Sequence, residues 1–171
     1  TPAYQGSHIP WLYQQSMRQL LRQYKFHHDL AAGKLLADLF IAQLDLSEWR
    51  PDLMVAVPQH NARLRQRGFD PAGWLAKRIA RQTGIRLDQQ LIVKTRATAL
   101  QHRMTRRQRQ HNLDEGFRLN HPPDARIRRI AIFDDIMTTG ATVRTVCETL
   151  NRQFAGEMQV WALARTPADP T

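Results

Sequence analysis

The sequence predicts an α/β protein with a mainly parallel, twisted sheet flanked by helices. Short apolar runs, typical of strands buried on both faces of a sheet, alternate with stretches whose apolar residues recur at helical spacing. This order of strands and helices favours a parallel sheet, and such sheets bind ligands at the carboxyl ends of their strands.

The N-terminal part of the chain predicts two amphipathic helices. Two groups of apolar residues have helical spacing: Leu20, Leu21 and Tyr24, then Leu30, Leu35, Leu36, Leu39, Phe40 and Leu44. Residues 25–29 break the pattern, and Asp29 is a candidate cap for the second helix. The adjacent His27 and His28 have no third metal ligand nearby, so a solvated turn is favoured over a metal site. We expect one domain, with a helical segment at residues 1–48 and an α/β core at residues 49–171.

The core begins with a predicted β-loop-α unit. Residues 52–57 form a continuous apolar run that Pro58 closes, as in a buried strand. A polar, Arg-rich stretch then leads into a helix predicted from Pro71 to Gln82, which Gly84 ends.

A second strand, predicted at residues 91–93, precedes a strongly basic segment. Residues 94–111 contain no acidic residue and six basic ones: Lys94, Arg96, Arg103, Arg106, Arg107 and Arg109. A packed core element does not have this composition, so we expect a mobile basic loop that runs into an exposed helix. Leu113 and Phe117 return the chain to the body of the protein.

The most informative segment is residues 132–142, Ile-Phe-Asp-Asp-Ile-Met-Thr-Thr-Gly-Ala-Thr. An apolar strand delivers Asp134 and Asp135 to its tip, and a turn rich in Thr opens a helix predicted at residues 141–154. Free N–H groups and the helix dipole make an anion pocket there, and Gly140 lets the backbone approach a phosphate. A last strand is predicted at residues 158–164.

The two adjacent carboxylates repel each other, so stability does not explain their place at a strand end. They can accept hydrogen bonds from the 2′ and 3′ hydroxyls of a ribose and can support a nearby hydrated Mg²⁺. A solvated acidic turn would explain the pair alone but not the complete segment. We therefore expect residues 132–142 to hold a ribose 5-phosphate.

This segment resembles the phosphoribosyl pyrophosphate motif of the type I phosphoribosyltransferases. Further residues, from Tyr4 to Thr166, extend a resemblance to the competence protein ComF family over nearly the whole chain: Lys25-Phe26, Val57-Pro58, Arg63, Arg67-Gly68-Phe69, Arg96-Ala97-Thr98, Gln101, Arg106, Arg109, Asn112 and Phe117. The resemblance implies a type I phosphoribosyltransferase-like fold. It also implies phosphoribosyl pyrophosphate or a related phosphosugar as ligand, and a role with competence proteins in the uptake or processing of transforming DNA.

Roles for single residues follow from the same resemblance. It implies that Asp134 and Asp135 meet the ribose, and that Mg²⁺ comes with the substrate rather than on a direct protein ligand. The 5-phosphate would be held by Thr138, Thr139, Gly140, Ala141 and Thr142. The pyrophosphate would be approached by Arg63, Arg67 and Gly68. A flap, which we expect also to contact single-stranded DNA, would use Arg96, Arg103, Arg106, Arg107 and Arg109.

Two features depart from the family pattern. Asp70 stands where many members have Asn, which adds a negative charge near the expected pyrophosphate loop. The family's N-terminal module of four zinc-binding cysteines has no counterpart in this sequence, so its role is not expected of this chain.

Composition narrows the classes of function. The chain of 171 residues has 25 Lys and Arg against 15 Asp and Glu, which favours a polyanionic partner: small phosphorylated molecules, nucleic acid or both. The single cysteine, Cys147, excludes an intrachain disulfide, and we expect it to be a buried thiol. No apolar run approaches the roughly 20 residues that span a bilayer, so a soluble cytoplasmic protein without membrane insertion is expected.

Two functions remain open from the sequence. The first is phosphoribosyl transfer to an acceptor that no residue identifies. The second is a protein that senses phosphoribosyl pyrophosphate, or handles single-stranded DNA, without turnover, because a fold does not determine a function.

Overall fold

The structure is a computed structural model that describes residues 3–59, 68–95 and 116–167. In these ranges the main sheet consists of β1 (Gly6–His8), β2 (Trp11–Leu12), β3 (Leu53–Ala56), β4 (Arg86–Leu87), β7 (Arg129–Met137) and β8 (Glu157–Arg165). Two further strands, β5 (Ile92–Lys94) and β6 (Phe117–Leu119), form a separate antiparallel ribbon. The helices are α1 (Gln15–His27), α2 (Leu30–Ala42), α3 (Pro71–Thr83) and α4 (Ala141–Asn151).

All pairings in the main sheet are parallel, which confirms the predicted α/β class. The order across the sheet is β4-β3-β7-β8, and β1 and β2 both pair with the outer side of β8. Strand β7 is therefore central, and its residues from Ile130 to Asp135 are buried. The carboxyl ends of β3, β7 and β8 lie at one edge of the sheet.

Each face of the sheet has its own core. On one face, Ala131 and Phe133 of β7 pack with residues of α1, α2 and α3 and with Trp161 of β8. On the other face, Ile130 and Ile132 pack with residues of α4 and of the ribbon. Because successive side chains of a strand point to opposite faces, Ala131 and Phe133 face α1 to α3, and Ile130 and Ile132 face α4. Beyond the acid pair this order is reversed, since Ile136 packs with the first core and Met137 with the second.

Several local predictions are confirmed by the contacts. Asp29 caps α2, since its Oδ1 atom accepts hydrogen bonds from the N–H groups of Ala31 and Ala32, both at 3.0 Å. Helix α3 begins at Pro71, and Gly84 follows its last residue as the C-cap. The φ of 68° at Gly84 lies in the left-handed region, which favours glycine. Cys147 is buried, and burial raises the pKa of its thiol to about 12.

The N-terminal segment differs from its prediction in two ways. Residues 1–48 are not wholly helical, because β1 and β2 join the sheet of the core. These strands were missed because Gly6-Ser7-His8 is not an apolar run, and an edge strand needs only backbone hydrogen bonds to one neighbour. Helix α1 also continues through Lys25 to His27, so the predicted break begins only at His28, which has a φ of 53°.

Two other predictions change. The strand predicted at residues 91–93 lies in the ribbon and not in the parallel sheet. In the ribbon, Phe117 is buried opposite Lys94. Helix α4 ends at Asn151 rather than at residue 154. In the described ranges, no helix has both the length and the apolar character needed to cross a membrane.

The cap at Asp29 gives a stability prediction. Asp29→Ala should lower the free energy of unfolding by about 1 kcal/mol, because two N–H groups at the start of α2 lose their acceptor. Asp29→Asn, which keeps the acceptor oxygen, is the matched control and should lose much less. Urea denaturation measures both, and equal losses in the two variants would contradict the capping role.

Candidate functional site

The Thr-rich turn lies at the carboxyl edge of the sheet, between β7 and α4. Thr138 and Thr139 are exposed, and Gly140 is the N-cap of α4 with a φ of 75°. No side chain caps this helix start, although the Ala141 N–H donates to Thr139 Oγ1 at 3.3 Å. A helix N-terminus without a side-chain cap has free N–H groups and the positive end of the helix dipole. It can therefore bind an anion.

The two carboxylates lie inside β7 rather than at its tip, which corrects the prediction. The strand continues to Met137, and the residue pairs Asp134 with Ala162 and Ile136 with Ala164 keep it in register with β8. Apolar propensity alone would end a strand at an acid pair. Here the pairing with β8 supplies the backbone hydrogen bonds that carry the strand past it.

The two acids have different neighbours. Asp135 contacts α1 through Lys25. Each carboxylate accepts a hydrogen bond from the following N–H group, Asp134 Oδ1 from Asp135 at 2.8 Å and Asp135 Oδ1 from Ile136 at 2.7 Å. These two hydrogen bonds partly offset the repulsion between the adjacent acids, which still acts on the ionisation of Asp134.

The ionisation of the Asp134 carboxyl is strongly shifted by its surroundings. Burial raises the pKa of its carboxyl, and the negative charge of Asp135 raises it further. The protonated form is thus favoured at Asp134, and the acid pair does not carry two full negative charges.

Asp135 is paired with a residue that the sequence did not identify as part of the site. Lys25 Nζ of α1 lies 2.7 Å from Asp135 Oδ2, and the two side chains are 15% and 6% exposed. Within the described residues, Asp135 Oδ2 is buried and has no hydrogen bond, so the ion pair is its polar contact. A weak signal for this role was present in the sequence, because Lys25 stands inside the predicted pattern break at residues 25–29.

The end of α1 also contacts the loop that precedes α3. The Tyr24 hydroxyl donates to the Pro71 carbonyl at 2.7 Å, and the Phe69 ring lies 5.5 Å from the Tyr24 ring and 4.6 Å from the His28 ring. Gly68, a predicted pyrophosphate residue, has a φ of 75° at this position. The structure thus brings Gly68, α1 and Asp135 to the same region of the carboxyl edge.

Asp70 has a structural role, which the Asn of many family members could also perform. It is the N-cap of α3, and its Oδ1 atom accepts from the Gly73 N–H at 3.0 Å. Burial raises the pKa of its carboxyl, and so does the charge of Asp135. An Asp followed by Pro at a helix start is a recognisable capping signal, so the sequence could have predicted this role.

The remaining predicted site residues lie outside the described ranges. These are Arg63 and Arg67 of the pyrophosphate loop, and Arg96, Arg103, Arg106, Arg107 and Arg109 of the basic segment. The residues on either side of the undescribed stretch 96–115 lie together. The Thr95 N–H donates to the Gly116 carbonyl at 3.0 Å, and Lys94 Nζ lies 5.4 Å from the centre of the Phe117 ring. Among the residues described, no group of three or more His, Cys, Asp or Glu could hold a metal ion.

The ion pair gives a prediction on stability. Lys25→Met should lower the free energy of unfolding by about 3 kcal/mol at neutral pH, because the Asp135 carboxylate stays buried without its cation. The double variant with Asp135→Asn, which keeps the acceptor for Ile136, should recover most of this loss. Urea denaturation of the two single variants and the double variant measures the coupling, and additive losses would contradict it.

The pKa of Asp134 gives a prediction on pH. A carboxyl whose pKa is higher in the folded than in the unfolded protein makes stability fall as pH rises from about 4. Asp134→Asn should therefore gain stability relative to the wild type as pH rises from about 4 to 8.

Asp124 is the control for this measurement, because hydrogen bonds from Arg126 lower the pKa of its carboxyl. Asp124→Asn should change relative to the wild type only below about pH 4, as the stabilisation by Asp124 is lost there. Thermal or urea unfolding across the pH range measures both variants. A stability difference between Asp134→Asn and the wild type that stays constant from pH 4 to 8 would show that the Asp134 pKa is not raised.

Comparison with known proteins relates most of the chain to sequence relatives. No family model matches the sequence. The chain is 34% identical to the DNA utilization protein YhgH of Escherichia coli (strain K12) over 159 residues, which cover 90% of this chain and 69% of that protein. It is 28% identical to the Competence protein F of Haemophilus influenzae over 155 residues, 85% of this chain and 66% of that protein.

Solved structures give a weaker comparison. Orotate phosphoribosyltransferase from Aeropyrum pernix has a TM-score of 0.49 and 17% identity, covering 89% of this chain and 66% of that chain. Purine phosphoribosyltransferase from Pyrococcus horikoshii has a TM-score of 0.46 and 20% identity, covering 81% and 77%. Likeness at this level does not identify what the chain binds.

The sequence relatives identify the family. The YhgH protein of Salmonella typhimurium is 36% identical over 152 residues, 86% of this chain and 66% of that protein. The chain spans about two thirds of the length of these relatives. With 34% identity over 69% of the Escherichia coli protein, this chain belongs to the family of DNA utilization protein YhgH and competence protein F, the ComF family.

Proposed function

We propose that the chain binds phosphoribosyl pyrophosphate at the carboxyl edge of its sheet. The observation that carries this proposal is the continuous element from Asp134 to Thr142, in which buried acids are followed by an exposed Thr turn and a helix start without a side-chain cap. The N–H groups of the turn would hold the 5-phosphate, with the hydroxyls of Thr138, Thr139 and Thr142 as further donors. The φ of 75° at Gly140 keeps the backbone close to the anion without a side chain in the way.

The acids would orient the ribose. Asp135 Oδ2 has its ion pair with Lys25 but no hydrogen bond within the described residues, and it would accept one from a ribose hydroxyl once the side chains that bury it move aside. Because Asp134 favours its protonated form and Asp135 is paired with a cation, the acid pair adds little negative charge to the site. A polyanionic ligand can therefore approach two carboxyl groups without strong repulsion.

Magnesium fits the site as a partner of the ligand. The buried oxygen of Asp135 has capacity for a hydrogen bond from a metal-bound water. Asp134 and Asp135 would then support the water shell of a Mg²⁺ that the pyrophosphate carries. When bound, Mg²⁺ would neutralise charge on the pyrophosphate.

The proposed reaction is transfer of the phosphoribosyl group to an unidentified acceptor. This chain's residues would fix the 5-phosphate and the ribose hydroxyls, so that positioning and electrostatic stabilisation supply most of the rate. Arg63, Arg67 and Gly68 would approach the pyrophosphate as it leaves. The alternative is a protein that binds the ligand, or single-stranded DNA, without turnover, and pyrophosphate release with a panel of acceptors separates the two.

The cellular role is proposed from the relatives. Their names refer to DNA utilization and competence, so we place this chain in the uptake or processing of transforming DNA, in contact with single-stranded DNA and competence DNA-uptake proteins. The basic segment at residues 94–111 is the proposed flap over the ribose site, and the hydrogen bond between Thr95 and Gly116 supports a loop made of the residues between them.

Titration calorimetry tests ligand binding directly. The wild type should bind phosphoribosyl pyrophosphate in the presence of Mg²⁺, and Gly140→Val should not, because valine strongly disfavours a φ of 75° and crowds the anion pocket.

Gly84→Val is the matched control for this titration. It introduces the same kind of strain, at a φ of 68°, but at the C-terminus of α3, which lies away from the carboxyl edge. It should bind like the wild type. No heat from the wild type at millimolar ligand, or full binding by Gly140→Val, would remove the proposed site.

A further inference from the structure

A groove of about 430 Å³ lies on the outer surface of α3. None of its lining residues belongs to the ribose site. Its lining residues share one face of the helix, at positions i, i+3, i+4, i+7 and i+8: Trp74, Lys77, Arg78, Arg81 and Gln82. The opposite face of α3, with Leu75 and Ile79, is buried in the core. The groove is therefore a property of the solvent face of a well-anchored helix.

The charge of the groove is strongly positive. Lys77, Arg78 and Arg81 line it, and the one carboxylate described in contact with these lining residues is Asp38 of α2. Arg78 lies 3.3 Å from Asp38, and Gln82 also donates to that carboxylate, at 3.2 Å. Within the described residues, Arg78 Nε is buried without a hydrogen bond.

The aromatic residue of the groove, Trp74, is held in place by contacts with α1 and α2. The Trp74 ring lies 5.7 Å from the Tyr24 ring, and a side chain at Gly33 would come within 3.0 Å of it. Trp74 is half-buried, so part of its ring lines the groove while the rest is fixed by the core. A fixed aromatic ring among cations is the arrangement that binds unpaired bases together with their phosphates.

The shape of the groove favours a strand over a small anion. From Trp74 to Gln82 the helix rises by about 12 Å, so the cations are spread along a line and do not converge on a point. A duplex has no unpaired base to stack on Trp74. The N-terminal end of the groove is near the ribose site, because Trp74 contacts Tyr24 and the next residue, Lys25, binds Asp135.

We propose that this groove binds single-stranded nucleic acid, with Lys77, Arg78 and Arg81 on the phosphates and Trp74 on a base. The surface differs from the basic segment at residues 94–111, and it does not depend on binding of phosphoribosyl pyrophosphate. The two binding functions can therefore be tested separately in the same protein.

The test is fluorescence anisotropy of a labelled single-stranded oligonucleotide, titrated with protein over a series of salt concentrations. The double variant Lys77→Gln/Arg81→Gln changes two exposed side chains and should bind several-fold more weakly at low salt. Loss of two phosphate contacts should also reduce the slope of log affinity against log salt by about 1.4. Calorimetric binding of phosphoribosyl pyrophosphate should not change.

Arg128→Gln/Arg152→Gln is the matched control, since it removes the same charge from two exposed residues near the amino ends of the strands. This control should keep most of the wild-type affinity. Equal effects of the two double variants, or no binding by the wild type at low salt, would overturn the proposal.

A second measurement tests the base contact and the class of partner. Trp74→Phe should lose the quenching of tryptophan fluorescence that the oligonucleotide causes in the wild type. Equal affinity for a duplex, or for an acidic peptide of the same charge, would overturn the assignment to single strands.

Discussion

The ion pair between Lys25 and Asp135 is the interaction on which the site depends. It joins α1 to the central strand of the sheet at 2.7 Å, in a region where both side chains are largely buried. An unpaired carboxylate there would be strongly unfavourable, so the helical N-terminal segment must be docked for the acid pair to stay in place. The hydrogen bond from Tyr24 to Pro71 and the ring contacts of Phe69 connect the same helix to the loop before α3.

The electrostatics of the site reflect a conflict between stability and binding. A carboxyl buried in the central strand is unfavourable when ionised, and burial with the neighbouring charge raises the pKa of Asp134. The strand reduces the conflict by giving each acid a backbone N–H donor, and Lys25 adds a cation beside Asp135. A protein selected for stability alone would place apolar residues at both positions. The acids are therefore best explained by the proposed ligand.

Sequence patterns predicted the parts of the molecule that are local. The segment from Ile132 to Thr142 contains its strand, acids, turn and helix start in consecutive residues, and Asp29 and Gly84 act within one turn of helix. The pairing of Lys25 with Asp135 could not be predicted this way, because it arises only when α1 packs on the sheet. The same holds for β1 and β2, whose short sequences become strands through pairing with β8. The groove on α3 also depends on Gly33 of α2, which makes room for Trp74.

The central claim is that the Thr turn after β7 holds the phosphate of a phosphorylated ribose while Asp135 orients the sugar. A crystal structure of the protein with ribose 5-phosphate tests this most directly. The account predicts phosphate oxygens within hydrogen-bond distance of the N–H groups of residues 138–142, and a ribose hydroxyl donating to Asp135 Oδ2. A phosphate bound elsewhere, with the turn left without an anion, would contradict it.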